Sequence, residues 1–154
     1  MYPTFDGHND LLLRLHLNPA NREAIWLTGE GKGHLDLPRM TQAGFAGGFF
    51  AIYIPSPVAH DAAGYMDAME NPPYDLPLGD LITAAEALPV AMSMAGHLLW
   101  MERSSQGRFK ICRTAAEVRT CLQSGTIAGI MHMEGAEAID ADLDNLYAFH
   151  AMGL

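Results

Sequence analysis

Cysteine is almost missing from this chain: there are two in 154 residues, Cys112 and Cys121. Their separation matches neither CxxC nor a zinc-pair spacing, and we read them as reduced thiols rather than a disulfide. Positive charge is scarce, with 9 basic against 18 acidic residues and a formal net charge of −9. Nucleic acid and anionic membrane need basic patches, so both are disfavoured as partners. Long apolar runs are missing too. The longest, "AGFAGGFFAIYIPSPV" (43–58), is broken by glycine, ends in prolines and is too short to span a bilayer. The opening "MYPTFDGHND" lacks the basic and apolar regions of a signal peptide. The expectation is a soluble, cytoplasmic chain. No serine or cysteine sits in a GxSxG elbow. "GEGKGH" (29–34) fits neither GxxxxGK[ST] nor GxGxxG, so a phosphate loop is rejected.

What is present is enough apolar material, 49%, to build one domain. "PTFDG" (3–7) reads as a brief buried strand. "LDLPRMTQAG" (35–44) reads as a short helix, with Pro38 suited to a first turn and Gly44 to a stop. "GGFFAIYIP" (47–55) is a continuous apolar run of the kind found in strands buried on both faces. The stretch 18–34 reads as irregular and 56–74 as a loop. Residues 80–104 are helical in period, with Pro89 a kink or first-turn residue. Thr114, Glu117 and Gly125 punctuate a helix as a capping box and a stop. "TIAGIMHME" (126–134) is a third buried strand, and 140–154 a last helix with aspartates at its start. The resulting order is strand, helix, strand, helix, helix, strand, helix. Buried strands alternating with helices predict an α/β fold with a parallel sheet or barrel. Three strands leave an open edge, which makes a homo-oligomer an expected partner state.

Against this background the segment "FDGHNDLLL" (5–13) stands out. Asp6, His8 and Asp10 interrupt apolar sequence at the end of the first strand, where the active sites of β/α barrels lie. In extended backbone, positions i and i+2 point to one side, so His8 and Asp10 converge. Imidazole nitrogen and carboxylate oxygen suit zinc and related divalent ions. HxD is a short pattern, and by itself it also fits a turn with an exposed histidine and a capping Asp10. Glu134 closes the third strand and is followed by Gly135, so it falls at the same end of the sheet. His132 shares the parity of Glu134 and reads as a packed histidine or one supporting the ligands. His97 and His150 read as structural, and His16, His34 and His60 carry no pattern. Met92, Met94 and Met101 read as helix core.

The blocks "DGHNDLL", "GHLDLPRMTQAGFAGGFFAIYIPSP" and "GTIAGIMHMEGAEAIDADLDNLYAFHAMGL", in this order, resemble the membrane (renal) dipeptidase family of zinc metallopeptidases. The resemblance implies a (β/α)8 TIM-type barrel related to amidohydrolases, of which this chain holds about the first three strand–helix units. It implies two zinc ions, with His8 and Asp10 binding one and Glu134 bridging both. The implied reaction is hydrolysis of a dipeptide amide by a hydroxide held between the zinc ions, with Glu134 also catalytic. Some bacterial members act on mixed L,D-dipeptides. Two further histidine ligands, a substrate-binding histidine and arginine, and a late aspartate of the family have no counterpart here. The domain reading is therefore residues 1–154 as the amino-terminal part of one metallo-dipeptidase barrel, ending before its fourth strand and inactive alone. Two alternatives remain: an amidohydrolase-like enzyme on a non-peptide amide or ester, and a non-catalytic fragment or interaction module.

Overall fold

In a computed structural model, residues 2–55, 67–75 and 80–154 are described. Of the expected loop at 56–74, residues 56–66, with His60, lie outside the described residues, whereas residues 67–70 form a helical turn rather than loop. The chain runs β1 (Thr4–Asn9), α1 (Leu11–Leu17), a 3-10 turn (Pro19–Asn21), a π-helical turn (Ala24–Thr28), α2 (Leu37–Ala43) and β2 (Phe45–Tyr53). It continues through α3 (Ala84–Ser104), β3 (Phe109–Ile111), α4 (Ala115–Ser124), β4 (Ile127–Glu134) and α5 (Asp144–Met152). All pairings between the strands are parallel, and the sheet order is β1-β2-β4-β3. The fold class is α/β, part of a (β/α)8 TIM-type barrel.

Among the described residues there are thus four strands, one more than expected. The additional one, β3, is three residues long and pairs only with Ile127–Gly129 at the start of β4. It lies outside β4, so β1, β2 and β4 occupy successive positions and correspond to the three strands read from the sequence. The leucine run after Asp10 is a helix, α1, whose Leu11, Leu12 and Leu15 are buried. The stretch 18–34 is less irregular than expected, since its turns bury Ile25 and Trp26.

Strand parity divides the sheet into two faces. Phe50 lies opposite Met131 and Ile52 opposite Met133 on the face covered by the main core. That core takes in Trp26, Leu37, Met94 and Leu98 from the helical layer. Phe109 extends it, with ring centroids 5.3 Å from Trp26 and 5.2 Å from Phe50. On the other face Ala51 lies opposite His132 and Tyr53 opposite Glu134. Close strand approach requires glycine at position 47, where a Cβ would stand 2.6 Å from the carbonyl oxygen of Ala128.

Caps set the helix limits. Asp36 accepts the N–H of Arg39 at 2.8 Å, and Gly44 ends α2 in the left-handed region. Identical "TAAE" segments at 83–86 and 114–117 form capping boxes at the starts of α3 and α4. Pro89 lies inside α3 beyond its first turn. Met92 on that helix is exposed, whereas Met94 and Met101 are buried. The aspartate-rich start of the last segment is not helical. Asp140 instead exchanges hydrogen bonds with Asn145, and α5 begins at Asp144. Cys112 and Cys121 are free, buried and 3.5 Å apart at sulfur; with Ala128 and Val118 they seat α4 on the sheet. Burial, with the neighbouring thiol next, pushes Cys112 up to about 12.

Candidate metal centre

β1 runs two residues further than the sequence indicated, so His8 lies within the strand and Asp10 directly after it. Parity alone does not bring them together. Asp6 lies opposite Gly48 and Asn9 opposite Phe50, so three steps on β1 face two on β2. This is a bulge, a device that re-aims side chains. Asp10 has left extended backbone, with φ −101° and ψ 28°. Bulge and helix start together turn its carboxylate toward the imidazole.

Asp10 occupies the N-cap position of α1, yet its side chain makes no capping hydrogen bond. The carboxylate stands instead with Oδ1 3.5 Å from Nε2 of His8. Glu134 reaches the same nitrogen from the end of β4, with Oε2 at 3.3 Å. Donor atoms of His8, Asp10 and Glu134 all lie within 4.8 Å of one another. Parallel pairing of β1 with β2 and of β2 with β4 places both strand ends on one rim. All three residues are exposed, and neither carboxylate pairs with lysine or arginine among the described residues. Two carboxylates beside one imidazole, without a basic side chain to neutralise them, favour a cation. One nitrogen and two oxygen donors fit zinc.

Asp6, the third polar side chain of the opening segment, is not in the cluster. It accepts the His8 N–H at 3.3 Å and the Asn9 amide at 2.9 Å. His132 is half-buried behind the cluster, its ring edge-on to His8 at 5.4 Å and to Phe49 at 6.1 Å. Phe49 also stacks edge-on with Phe5 at 6.1 Å, so the inner face carries an aromatic wall beneath the rim. His97 is buried in α3, and His16 bridges from α1 to Ser93 of α3 at 3.0 Å. Burial first, then the nearby His16 and Arg22, hold the pKa of His97 below the ordinary histidine range. Sequence reading gave no place to Asn9 or Phe49. The HxD pattern draws the eye to its ends, and the partner of Asn9 lies forty residues away.

A parallel α/β sheet with an imidazole–carboxylate cluster on the C-terminal rim defines a β/α-barrel chain with a metal-type donor set at its mouth. The chain belongs to the membrane dipeptidase family, peptidase family M19, whose profile matches residues 1–154. A curated relative, an uncharacterised protein in the PQQ-III 3′ region of Acinetobacter calcoaceticus, is 32% identical over 156 residues, covering 99% of this chain and 46% of the relative. Among solved structures, a metallo peptidase from Rhodobacter sphaeroides liganded with a phosphinate mimic of the dipeptide L-Ala-D-Ala superposes with a TM-score of 0.92 and 68% identity. The match covers 99% of this chain and 43% of that one. Dipeptidase AC, a metallo peptidase of family M19, superposes with a TM-score of 0.90 and 66% identity over 99% of this chain and 42% of its own. The chain therefore spans less than half the length of these relatives. Among the described residues no helix is long and apolar enough to cross a membrane.

Proposed function

We propose that this chain is the amino-terminal part of a zinc-dependent dipeptidase of the cytoplasm. In this reading His8, Asp10 and Glu134 would hold the metal, with Glu134 shared between two zinc ions as the family resemblance implies. The observation that carries the reading is the convergence of three donors, His8 on β1, Asp10 at the start of α1 and Glu134 on β4, within 4.8 Å of one another. The liganded Rhodobacter sphaeroides relative, at 68% identity, supports mixed L,D-dipeptides such as L-Ala-D-Ala as the substrate class. Remaining ligands and the groups that bind the dipeptide termini lie, in this reading, in the part of the relatives' length that this chain does not span.

Zinc in such a site supplies Lewis acidity to the scissile carbonyl and to the attacking water. The chain's own residues do the rest. Glu134 contributes negative charge on the rim, where it concentrates cations. His8 and Asp10 fix one side of the site through β1. Phe49 and His132 stack edge-on beneath the rim and line the site behind His8.

The full-length protein tests this directly. Chelation is expected to remove zinc and L-Ala-D-Ala hydrolysis together, with zinc restoring both. Hydrolysis by protein shown to be metal-free by elemental analysis overturns the metal role. Turnover of lactones or non-peptide amides in preference to dipeptides overturns the substrate class.

A further inference from the structure

Between the two proposed ligands of β1 stands Asn9, and both polar atoms of its side chain are engaged. Nδ2 donates to Oδ2 of Asp6 at 2.9 Å and to the carbonyl oxygen of Phe49 at 3.0 Å. Oδ1 accepts the N–H of Leu11, the first residue of α1, at 3.3 Å. Asp6 in turn accepts the N–H of His8 at 3.3 Å. These bonds enclose the bulge that contains Gly7 and His8. A bulged residue has no ladder partner, so its direction is set by whatever holds its two ends. The Asn9–Asp6 bond spans the bulge. The bond to Phe49 fixes its far end to β2, and the bond from Leu11 fixes the backbone just behind Asp10.

We propose that Asn9 is a positioning residue, whose amide locks the β1 bulge and the start of α1 so that His8 and Asp10 aim at one ion. This rests on the reading of His8, Asp10 and Glu134 as a metal site. The chemistry is selective for asparagine. Two donations and one acceptance are needed at short reach. Aspartate has no donor, serine has a single donor, and glutamine carries its amide one methylene too far.

The test uses the full-length protein with Asn9→Ser and Asn9→Ala. A serine hydroxyl still accepts the Leu11 N–H as a turn of its own, but both amide donations are lost. Zinc affinity is read by competition with a chromophoric chelator, ligand geometry from the visible spectrum of the cobalt(II) form, and folding by circular dichroism. The expected result is folded Asn9→Ser with zinc affinity lower by about 10–100-fold and an altered cobalt spectrum, and a loss at least as large in Asn9→Ala. Either variant folded, with wild-type affinity and an unchanged cobalt spectrum, overturns the proposal. Failure of both to fold, with or without zinc, also overturns it, because the amide would then serve folding rather than aim. Wild-type protein that binds neither zinc nor cobalt fails at the earlier step and removes the metal reading itself.

Discussion

Asp10 holds the position of a helix cap without making a capping bond, and this separates stability from chemistry at a single side chain. Thr114 does make such a bond, to the N–H of Glu117 at 3.2 Å. Thr114→Ala is therefore expected to cost about 1 kcal/mol. Asp10→Ala is expected to cost less than that in denaturant unfolding, while the full-length protein loses zinc by elemental analysis. A large loss of stability with zinc retained would make Asp10 structural. His97 gives a second expectation at this scale. Its pKa is lowered in the folded chain by burial, His16 and Arg22, so the unfolded chain binds the proton more readily. Stability is unaffected by this group well above the ordinary histidine pKa of about 6.5. It falls as pH drops through that value toward the depressed folded one. His97→Gln should flatten the fall in urea midpoint between neutral and mildly acidic pH, compared with wild type. An equal fall in both proteins would show that His97 is not the group responsible.

At the scale of elements, Gly47 controls how closely β2 approaches β4. A methyl there meets backbone at 2.6 Å, which cannot rotate away as a side chain does. Gly47→Ala is expected to destabilise by about 1–3 kcal/mol, read from urea unfolding, whereas Gly96→Ala, with open space around it, should not. The same scale shows what was legible in the sequence. β2 and β4 are legible as mostly apolar runs, and α4 through its capping box and closing glycine. The identical "TAAE" at the start of α3 is equally readable, but it stands inside a longer helical period that begins four residues before the helix does. β3 was invisible because three residues carry no period. The helix α1 was hidden because "LLLRLHL" is apolar at nearly every position, and only its burial shows which face turns inward. In the site, the ends of the HxD pattern and the glutamate closing β4 were legible from position alone. Asn9 was not, since its bond to Phe49 depends on register between β1 and β2.

For the molecule as a whole, the expectation is that the 154-residue chain alone releases no amino acid from dipeptides above background. Three donors fall short of two ions, since a catalytic zinc usually takes three protein ligands of its own. The open sheet also leaves the rim without an opposing wall. Purified chain loaded with zinc and offered L-Ala-D-Ala checks this. Zinc-dependent turnover that disappears in His8→Ala would show that the chain completes a site by self-association.

The placement of β3 outside β4 bears on the order in which the fold assembles. Phe109 faces Ile127 across a single intervening helix, whereas Gly47 faces Ala128 across more than half the chain. Closing the shorter loop costs less entropy. The unit β3–α4–β4 is therefore expected to form early and to dock onto β2 as a block. A nascent chain that has emerged only as far as α4 has no strand beside which β3 can pair. Pulse-labelled hydrogen exchange during refolding should protect the amides of Cys112 and Ile127, which bond between the β3 and β4 segments, before those of β2. Protection of β2 first would mean that the β1–β2 pair, and with it the rim carrying His8, is the template on which the rest is laid.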